Sequence, residues 1–91
     1  MLGLGFTAKF KRDYKRVKRQ GKDITKLEVL EALVRGKSLP EAMRDHSLGG
    51  TYRGHRECHI EPDWLLIYRA DEEELVLVGA RMGNHSELLG L

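Results

Sequence analysis

Apolar residues near the start of the chain recur at helical spacing. One stripe, with steps of three or four residues, is formed by Phe6, Phe10, Tyr14 and Val17. Thr7 directly precedes the predicted first helical turn, where its hydroxyl can accept a hydrogen bond from a free amide of that turn. The pattern therefore predicts a first helix that Thr7 caps and that ends at residues 20–21.

A second helix is indicated by its start signal. Thr25 and Glu28 have the spacing of a capping box, in which hydroxyl and carboxylate each accept a hydrogen bond from a backbone amide. The apolar positions that follow also have helical spacing, and they are Leu27, Leu30, Leu33 and Val34. Gly36 would end this helix. Because only a short connection separates the two helices, we expect an antiparallel helical hairpin.

The second half of the chain has the composition of strands. The two clearest runs lie at residues 64–69 and 75–82, on either side of a charged turn. The other predicted elements are an edge strand at 3–5, a helical turn at 38–43, a loop at 45–50, a strand at 51–60 with a bulge at Gly54, and a last helix at 86–89 capped by Asn84. This order predicts one α+β domain over residues 1–91, with the helical hairpin packed on a small, mostly antiparallel sheet.

Composition is that of a folded domain. The 91 residues are 41% hydrophobic and 33% charged with nearly balanced signs, which argues against intrinsic disorder. The longest apolar runs, at residues 64–68 and 75–80, are far shorter than the roughly 20 residues of a membrane span. There is no signal-peptide pattern, and Cys58 is the only cysteine. We therefore expect a cytoplasmic protein that has no membrane partner.

Charge is distributed unevenly along the chain. Residues 1–26 contain nine basic and two acidic residues, whereas residues 27–91 contain seven basic and twelve acidic ones. The basic excess is typical of a solvated helix face, and it is equally typical of a site for phosphates or for an acidic partner segment. The charge pattern alone does not decide between them.

The histidines are the strongest candidates for chemistry. His46, His59 and His85 stand in a loop or at strand ends, and Asp63 and Trp64 open the neighbouring strand. In an antiparallel meander the end of one strand lies beside the start of the next, so these side chains are expected at one sheet edge.

Three interpretations of this cluster remain open. The histidines are unrelated surface residues, or they ligate a metal ion with Asp63, or they transfer protons at neutral pH. In the third case the substrate suited to a basic surface is RNA, with Trp64 stacking on a base.

Four segments carry a resemblance to a known family. They are DHSLGG at 45–50, YRG at 52–54, RECHIEPDWLLIY at 56–68 and GNHSELL at 83–89. This string resembles the YafQ branch of the RelE superfamily, the toxins of bacterial type II toxin–antitoxin modules. The resemblance is close over residues 45–68 and looser towards the start of the chain. It implies a RelE-like βααβββ fold with a terminal helix, in agreement with the order predicted above.

The resemblance also implies an activity. The implied protein is a ribosome-dependent mRNA endoribonuclease that uses no metal or other cofactor and is inhibited by a cognate antitoxin with an acidic C-terminal segment. The 2′-OH of the mRNA would be the nucleophile. The family's catalytic residues fall on His46, His59, Asp63 and His85. Its active-site tryptophan falls on Trp64, and its C-terminal aromatic, expected to contact the base, falls on Leu89.

Basic residues complete the expected site. Arg56 and Arg81 are candidates for binding the phosphate, since a developing dianion needs cationic donors. The residues expected to bind the ribosome or the antitoxin lie in the first helix, and they are Lys9, Lys11, Arg12, Lys15, Lys18 and Arg19. Two alternatives stay open: a non-catalytic nucleic-acid-binding domain and a histidine-rich metal-binding domain.

Overall fold

The computed structural model describes residues 2–89. Its elements in chain order are β1 (Gly3–Phe6), α1 (Ala8–Arg19), a 3₁₀ helix (Ile24–Glu28), α2 (Val29–Val34), a 3₁₀ turn (Glu41–Met43), β2 (His46–Ser47), a 3₁₀ turn (Gly50–Tyr52), β3 (Arg56–Glu61), β4 (Trp64–Asp71), β5 (Val76–Gly83) and α3 (His85–Leu89). None of the helices in this part of the chain is long and apolar enough to cross a membrane. The predicted α+β class is confirmed.

A five-stranded sheet in the order β1-β5-β4-β3-β2 forms the centre of the molecule. The pairs β2–β3, β3–β4 and β4–β5 are antiparallel, and the edge strand β1 runs parallel to its partner β5. A parallel pair needs a long crossover, which the helical hairpin and the following strands supply. The sheet therefore has the predicted mostly antiparallel character.

The main hydrophobic core lies between the sheet and the helices. Phe10 and Val17 of α1 pack with Leu30 of α2 against the strand residues Leu66 and Leu77. Cys58 is fully buried in the same core, and burial raises the pKa of its thiol to about 12. A thiol held protonated in this way is a structural group rather than a nucleophile.

A second, smaller core covers the other face of the sheet. Leu65, Ile67 and Ala80 pack there with Leu88 of α3 and with Tyr52. Strand β4 is therefore buried on both faces from Trp64 to Tyr68. This explains why its sequence is a continuous apolar run without alternation.

Helix α1 begins as predicted and then covers an open strand edge. The Thr7 hydroxyl accepts a hydrogen bond from the Phe10 amide at 3.0 Å. Strand β1 ends opposite Gly79, so the edge of β5 beyond that point has no strand partner. The buried Asp13 carboxylate takes that place and accepts a hydrogen bond from the Met82 amide at 3.0 Å. The Met82 carbonyl accepts one from Arg16 at 2.7 Å.

Two local predictions are wrong. Thr25 caps no helix here; Asp23 caps the 3₁₀ helix before α2, by accepting hydrogen bonds from the Thr25 amide and hydroxyl. The segment then forms a 3₁₀ turn before α2 rather than one continuous helix. The predicted strand at 51–60 is shorter, because Gly54 has φ of +85° in a turn before β3. The bulge lies instead between His59 and Glu61.

Candidate active site

Three imidazole rings form a row on the face of the sheet away from the main core. The ring centroids of His46 and His59 lie 6.5 Å apart, and those of His59 and His85 lie 5.8 Å apart. His46 comes from β2, His59 from β3 and His85 from the first residue of α3. The structure therefore brings together the three histidines that the sequence placed at one edge.

His46 has an acceptor oxygen near each of its ring nitrogens. Its Nδ1 lies 2.6 Å from the Arg44 carbonyl oxygen, and its Nε2 lies 3.6 Å from Oε1 of Glu57. Glu57 is only 5% exposed and stands directly opposite His46 in the β2–β3 pair. The sequence prediction missed Glu57, because it treated residues 45–50 as loop and so gave β3 no partner there.

His85 is oriented by Asp63. The Asp63 carboxylate lies 3.1 Å from His85 Nδ1 and 3.3 Å from the His85 amide nitrogen. Hydrogen bonds from the His85 side chain and amide lower the pKa of Asp63. A proton on Nδ1 leaves Nε2 of His85 free to accept one from a substrate.

The start of α3 is anchored to α1. Asn84 and Glu87 cap the helix reciprocally: the Asn84 side chain accepts from the Glu87 amide and Glu87 accepts from the Asn84 amide, both at 2.8 Å. Glu87 also pairs with Arg16 of α1 at 2.8 Å. A Cβ at Gly83 would lie 2.6 Å from Arg16 Nη2, so a larger residue would displace the arginine from this ion pair. These contacts fix the residue that carries the third imidazole.

The segment before His46 is anchored by Asp45. Its carboxylate accepts a hydrogen bond from the Tyr68 hydroxyl at 2.6 Å and one from Arg56 Nε at 3.2 Å. Burial and the neighbouring Asp45 carboxylate raise the pKa of Tyr68. The predicted phosphate ligand Arg56 is thus paired with Asp45, and the alternation of β3 places it on the opposite face from His59. The phosphate role of Arg56 stays a prediction, and it would require the guanidinium to leave Asp45.

The other predicted phosphate ligand, Arg81, also has a carboxylate partner. It donates from Nε to Asp13 at 2.7 Å and from Nη2 at 3.1 Å, in a bidentate pair. Burial opposes ionisation of Asp13, but hydrogen bonds from Arg81 and from the Met82 amide outweigh it and lower the pKa of this carboxyl. The sequence prediction missed Asp13, because it counted the residue among the polar positions of α1.

Trp64 does not stand where a base could stack on it. Its side chain is 1% exposed and packs in the main core beside Leu66 and Tyr68. The first residue of β4 faces the helices, whereas His59 faces away from them, so the tryptophan lies across the sheet from the histidine row. The predicted stacking role of Trp64 is wrong for this conformation. The side chain of Leu89 lies outside the described part of the chain.

A cleft adjoins the row. It has a volume of about 580 Å³ and is lined by His59 and His85 together with Met43, Arg44 and Pro62.

The basic residues predicted to bind ribosome or antitoxin are all exposed on α1, with no ion-pair partner among residues 2–89. No group of three or more His, Cys, Asp or Glu side chains within that range is arranged to hold a metal ion.

Known proteins similar to this chain agree with the resemblance in the sequence. The family model of the bacterial toxin of type II toxin–antitoxin systems, YafQ, matches residues 2–90. The chain is 34% identical over 87 residues to the mRNA interferase toxin YafQ of Escherichia coli (strain K12), which covers 93% of this chain and 92% of that protein.

Solved structures give the same result. A metal-bound toxin from Helicobacter pylori superposes with a TM-score of 0.91 at 37% identity, covering 97% of this chain and 99% of that one. A chain of the E. coli DinJ–YafQ complex superposes with a TM-score of 0.85 at 33% identity, covering 99% of this chain and 100% of that one. The class is therefore the toxins of bacterial type II toxin–antitoxin systems. Within that class, the chain belongs to the YafQ family.

Proposed function

We propose that this protein is the toxin of a type II toxin–antitoxin module and that it cleaves mRNA on the ribosome by histidine acid–base catalysis. The observation that carries the proposal is the row of three imidazoles, 5.8 and 6.5 Å apart, beside a cleft of about 580 Å³. Its relative in E. coli is an mRNA interferase, which supplies the substrate class. The proposed location of the protein is the cytoplasm, where ribosomes and mRNA are found.

In the proposed reaction the nucleophile belongs to the substrate. The 2′-oxygen attacks the adjacent phosphorus, the bond from phosphorus to the 5′-oxygen breaks, and the products are a 2′,3′-cyclic phosphate and a 5′-OH. A base takes the 2′ proton and an acid gives a proton to the departing 5′-oxygen, so that protons balance. A general acid or base of this kind typically accelerates the reaction by about 10²- to 10⁴-fold.

The contacts suggest a role for each imidazole. His85 suits the base, because a proton on Nδ1 directed at Asp63 leaves Nε2 available. His59 stands next to it in the row and suits the acid. His46 is positioned by the Arg44 carbonyl beside Glu57 and suits a role in binding the scissile phosphate. No step in this scheme requires a metal ion.

The proposed partners follow from the relatives. YafQ of E. coli forms a complex with DinJ, so we propose a cognate antitoxin for this chain as well. The exposed basic residues of α1 supply contacts to ribosomal RNA phosphates, to an acidic antitoxin segment, or to both.

Ribosome dependence is tested directly by comparing two substrates. The purified protein, mixed with an mRNA on programmed ribosomes, is expected to give a discrete cut with a cyclic phosphate end. The same mRNA without ribosomes is expected to be cut at least tenfold more slowly, because the ribosome holds the strand in the geometry for in-line attack. Primer extension locates the cut. Equal cleavage of free and ribosome-bound mRNA would contradict the ribosome dependence but not the nuclease activity.

A further inference from the structure

Arg44 is an arginine beside the histidine row that the sequence prediction did not include. It lines the cleft of about 580 Å³ together with His59 and His85. The residue is exposed, and its side chain has no ion-pair partner among residues 2–89. A guanidinium without a carboxylate partner keeps its planar set of N–H donors available to an anion.

The two arginines that the sequence predicted for phosphate binding are engaged with carboxylates. Arg56 pairs with Asp45, and Arg81 pairs with Asp13 in a bidentate contact. Each of them would have to leave its partner before it could bind an RNA phosphate. Arg44 has no such competitor in the part of the chain that the structure describes, so it is the arginine best prepared to meet an anion in the cleft.

The backbone holds Arg44 next to the row. The residue ends a 3₁₀ turn with φ of 49° and ψ of 44°, in the left-handed region. Its carbonyl oxygen lies 2.6 Å from Nδ1 of His46. Glycine and asparagine adopt this conformation at lower cost than arginine does. The turn alone therefore does not account for an arginine here, and residues in sparsely populated conformations cluster at functional sites.

The acidic side chain that lines the cleft is already neutralised. It belongs to Glu61, whose carboxylate pairs with Lys26 at 2.8 Å and with Lys22 at 3.6 Å. Arg44 remains as a fixed positive charge beside two imidazole rings that lie 5.8 Å apart. A phosphate between those rings would lie in the same space that Arg44 lines.

We infer that Arg44 binds the scissile phosphate of the RNA, by hydrogen bonds from its guanidinium to the non-bridging oxygens. The identity of the strand rests on the proposed function, whereas the affinity for an anion rests on the cleft itself. A guanidinium presents parallel N–H donors that match two phosphate oxygens. Its charge stabilises these oxygens more strongly as they gain negative charge in the transition state. This contact makes Arg44 a catalytic residue.

Titration with small phosphates tests the binding without the ribosome. The probes are the four nucleoside 3′-monophosphates, and their controls are the same nucleosides without phosphate. The wild-type protein should bind at least one nucleotide, with shifts in the imidazole resonances of His59 and His85, and it should bind the nucleosides much more weakly. Arg44→Gln should weaken the nucleotide binding about tenfold, because a hydrogen bond to a charged group is lost.

Cleavage on programmed ribosomes tests the catalytic part. Arg44→Gln should lower the single-turnover rate at saturating protein about tenfold or more, because the contact is strongest in the transition state. The half-saturating protein concentration should change less than about threefold, because the ribosome offers a much larger binding surface. Arg44→Lys keeps the charge but not the paired donors, so it should cleave faster than Arg44→Gln and more slowly than the wild-type protein.

Two further variants separate the guanidinium from the turn and from the overall charge. Arg44→Gly suits the left-handed backbone, so its Tm should fall by no more than about 3 °C, yet it should cleave as slowly as Arg44→Gln. Arg69→Gln removes the same charge five residues along β4 from Trp64, or about 16 Å away. That distance exceeds the screening length of about 10 Å at 0.1 M salt, so this variant should bind and cleave within about twofold of the wild-type protein.

Several results would overturn the inference. They are a wild-type protein that binds none of the four nucleotides, an Arg44→Gln variant that binds and cleaves like the wild type, and equal losses in Arg44→Gln and Arg69→Gln. Full cleavage by Arg44→Gly would show that the residue serves only the turn. The proposed function fails separately: a wild-type protein that binds nucleotides through Arg44 but cuts no ribosome-bound mRNA would contradict the nuclease activity and leave the phosphate contact in place.

Discussion

Replacing His59 by alanine is expected to lower the rate of mRNA cleavage about 100-fold or more, the usual loss for an acid–base group. His59 is the middle ring of the row, within 5.8 Å of one neighbouring ring and 6.5 Å of the other. Its side chain is only partly buried, so the Tm should change by no more than about 3 °C. Single-turnover cleavage on programmed ribosomes and a thermal melt measure the two quantities.

His55 offers a matched control. It is also a partly buried histidine, but it packs against Tyr52 at a ring-centroid distance of 5.6 Å and is outside the row. The His55→Ala variant should therefore cleave mRNA at a rate within about threefold of the wild-type rate. A large loss of stability in His59→Ala with cleavage retained would show that His59 is a structural residue.

Replacing Asp13 by alanine is expected to destabilise the fold by about 3 kcal/mol, because a buried charge pair then loses one partner. Asp13 is 3% exposed and accepts hydrogen bonds from Arg81, Arg16 and the Met82 amide. Its removal leaves the Arg81 charge and a strand-edge amide without a partner. Urea unfolding of both proteins gives the difference.

The Glu31–Arg35 pair provides the comparison for Asp13. Its N–O distance is 2.9 Å, as in the Arg16–Asp13 pair, but both side chains are exposed. Glu31→Ala should cost less than about 0.5 kcal/mol, the usual worth of a surface pair on a helix. Equal losses in the two variants would contradict the structural role of Asp13.

The stability that Asp13 contributes should depend on pH in one direction. Its pKa is lowered in the folded protein, so the contribution is complete above the unfolded value of about 3.9 and is lost as pH falls through the folded value. Asp13→Asn should therefore have a shallower loss of stability below about pH 4 than the wild-type protein. The exposed carboxylates contribute to acid unfolding in both proteins, so the difference between the two curves isolates Asp13.

The sequence predicted the elements well where the apolar pattern is strong. The stripe of α1 and the apolar runs of β4 and β5 are patterns of this kind, and the predicted boundaries of these two strands lie within two residues of those observed. The second helix was less well predicted, because Asp23, two residues before Thr25, caps the segment first. Which side chain caps a helix depends on backbone angles that a motif does not specify.

The faces of the sheet could not be assigned from the sequence. Strand β4 is buried on both faces, so its apolar run does not show that Trp64 faces the helices. The three histidines could be grouped because they stand in a loop or at strand ends, whereas Glu57 meets His46 only through the two-residue strand β2. Asp13 is buried only because β1 stops early and leaves the edge of β5 open.

The central claim, that the 2′-OH of the mRNA is the nucleophile and histidines move the protons, is tested most directly by one substrate change. A single 2′-deoxy sugar is placed 5′ of the scissile phosphate in an mRNA on programmed ribosomes, and EDTA is added after the complex is assembled. We expect the ribose substrate to be cut with a cyclic phosphate end in EDTA, and the deoxy substrate to bind but remain intact. A metal-bound hydroxide as nucleophile predicts the reverse. Cleavage of the deoxy substrate that stops with EDTA would contradict the catalytic roles proposed for His46, His59 and His85.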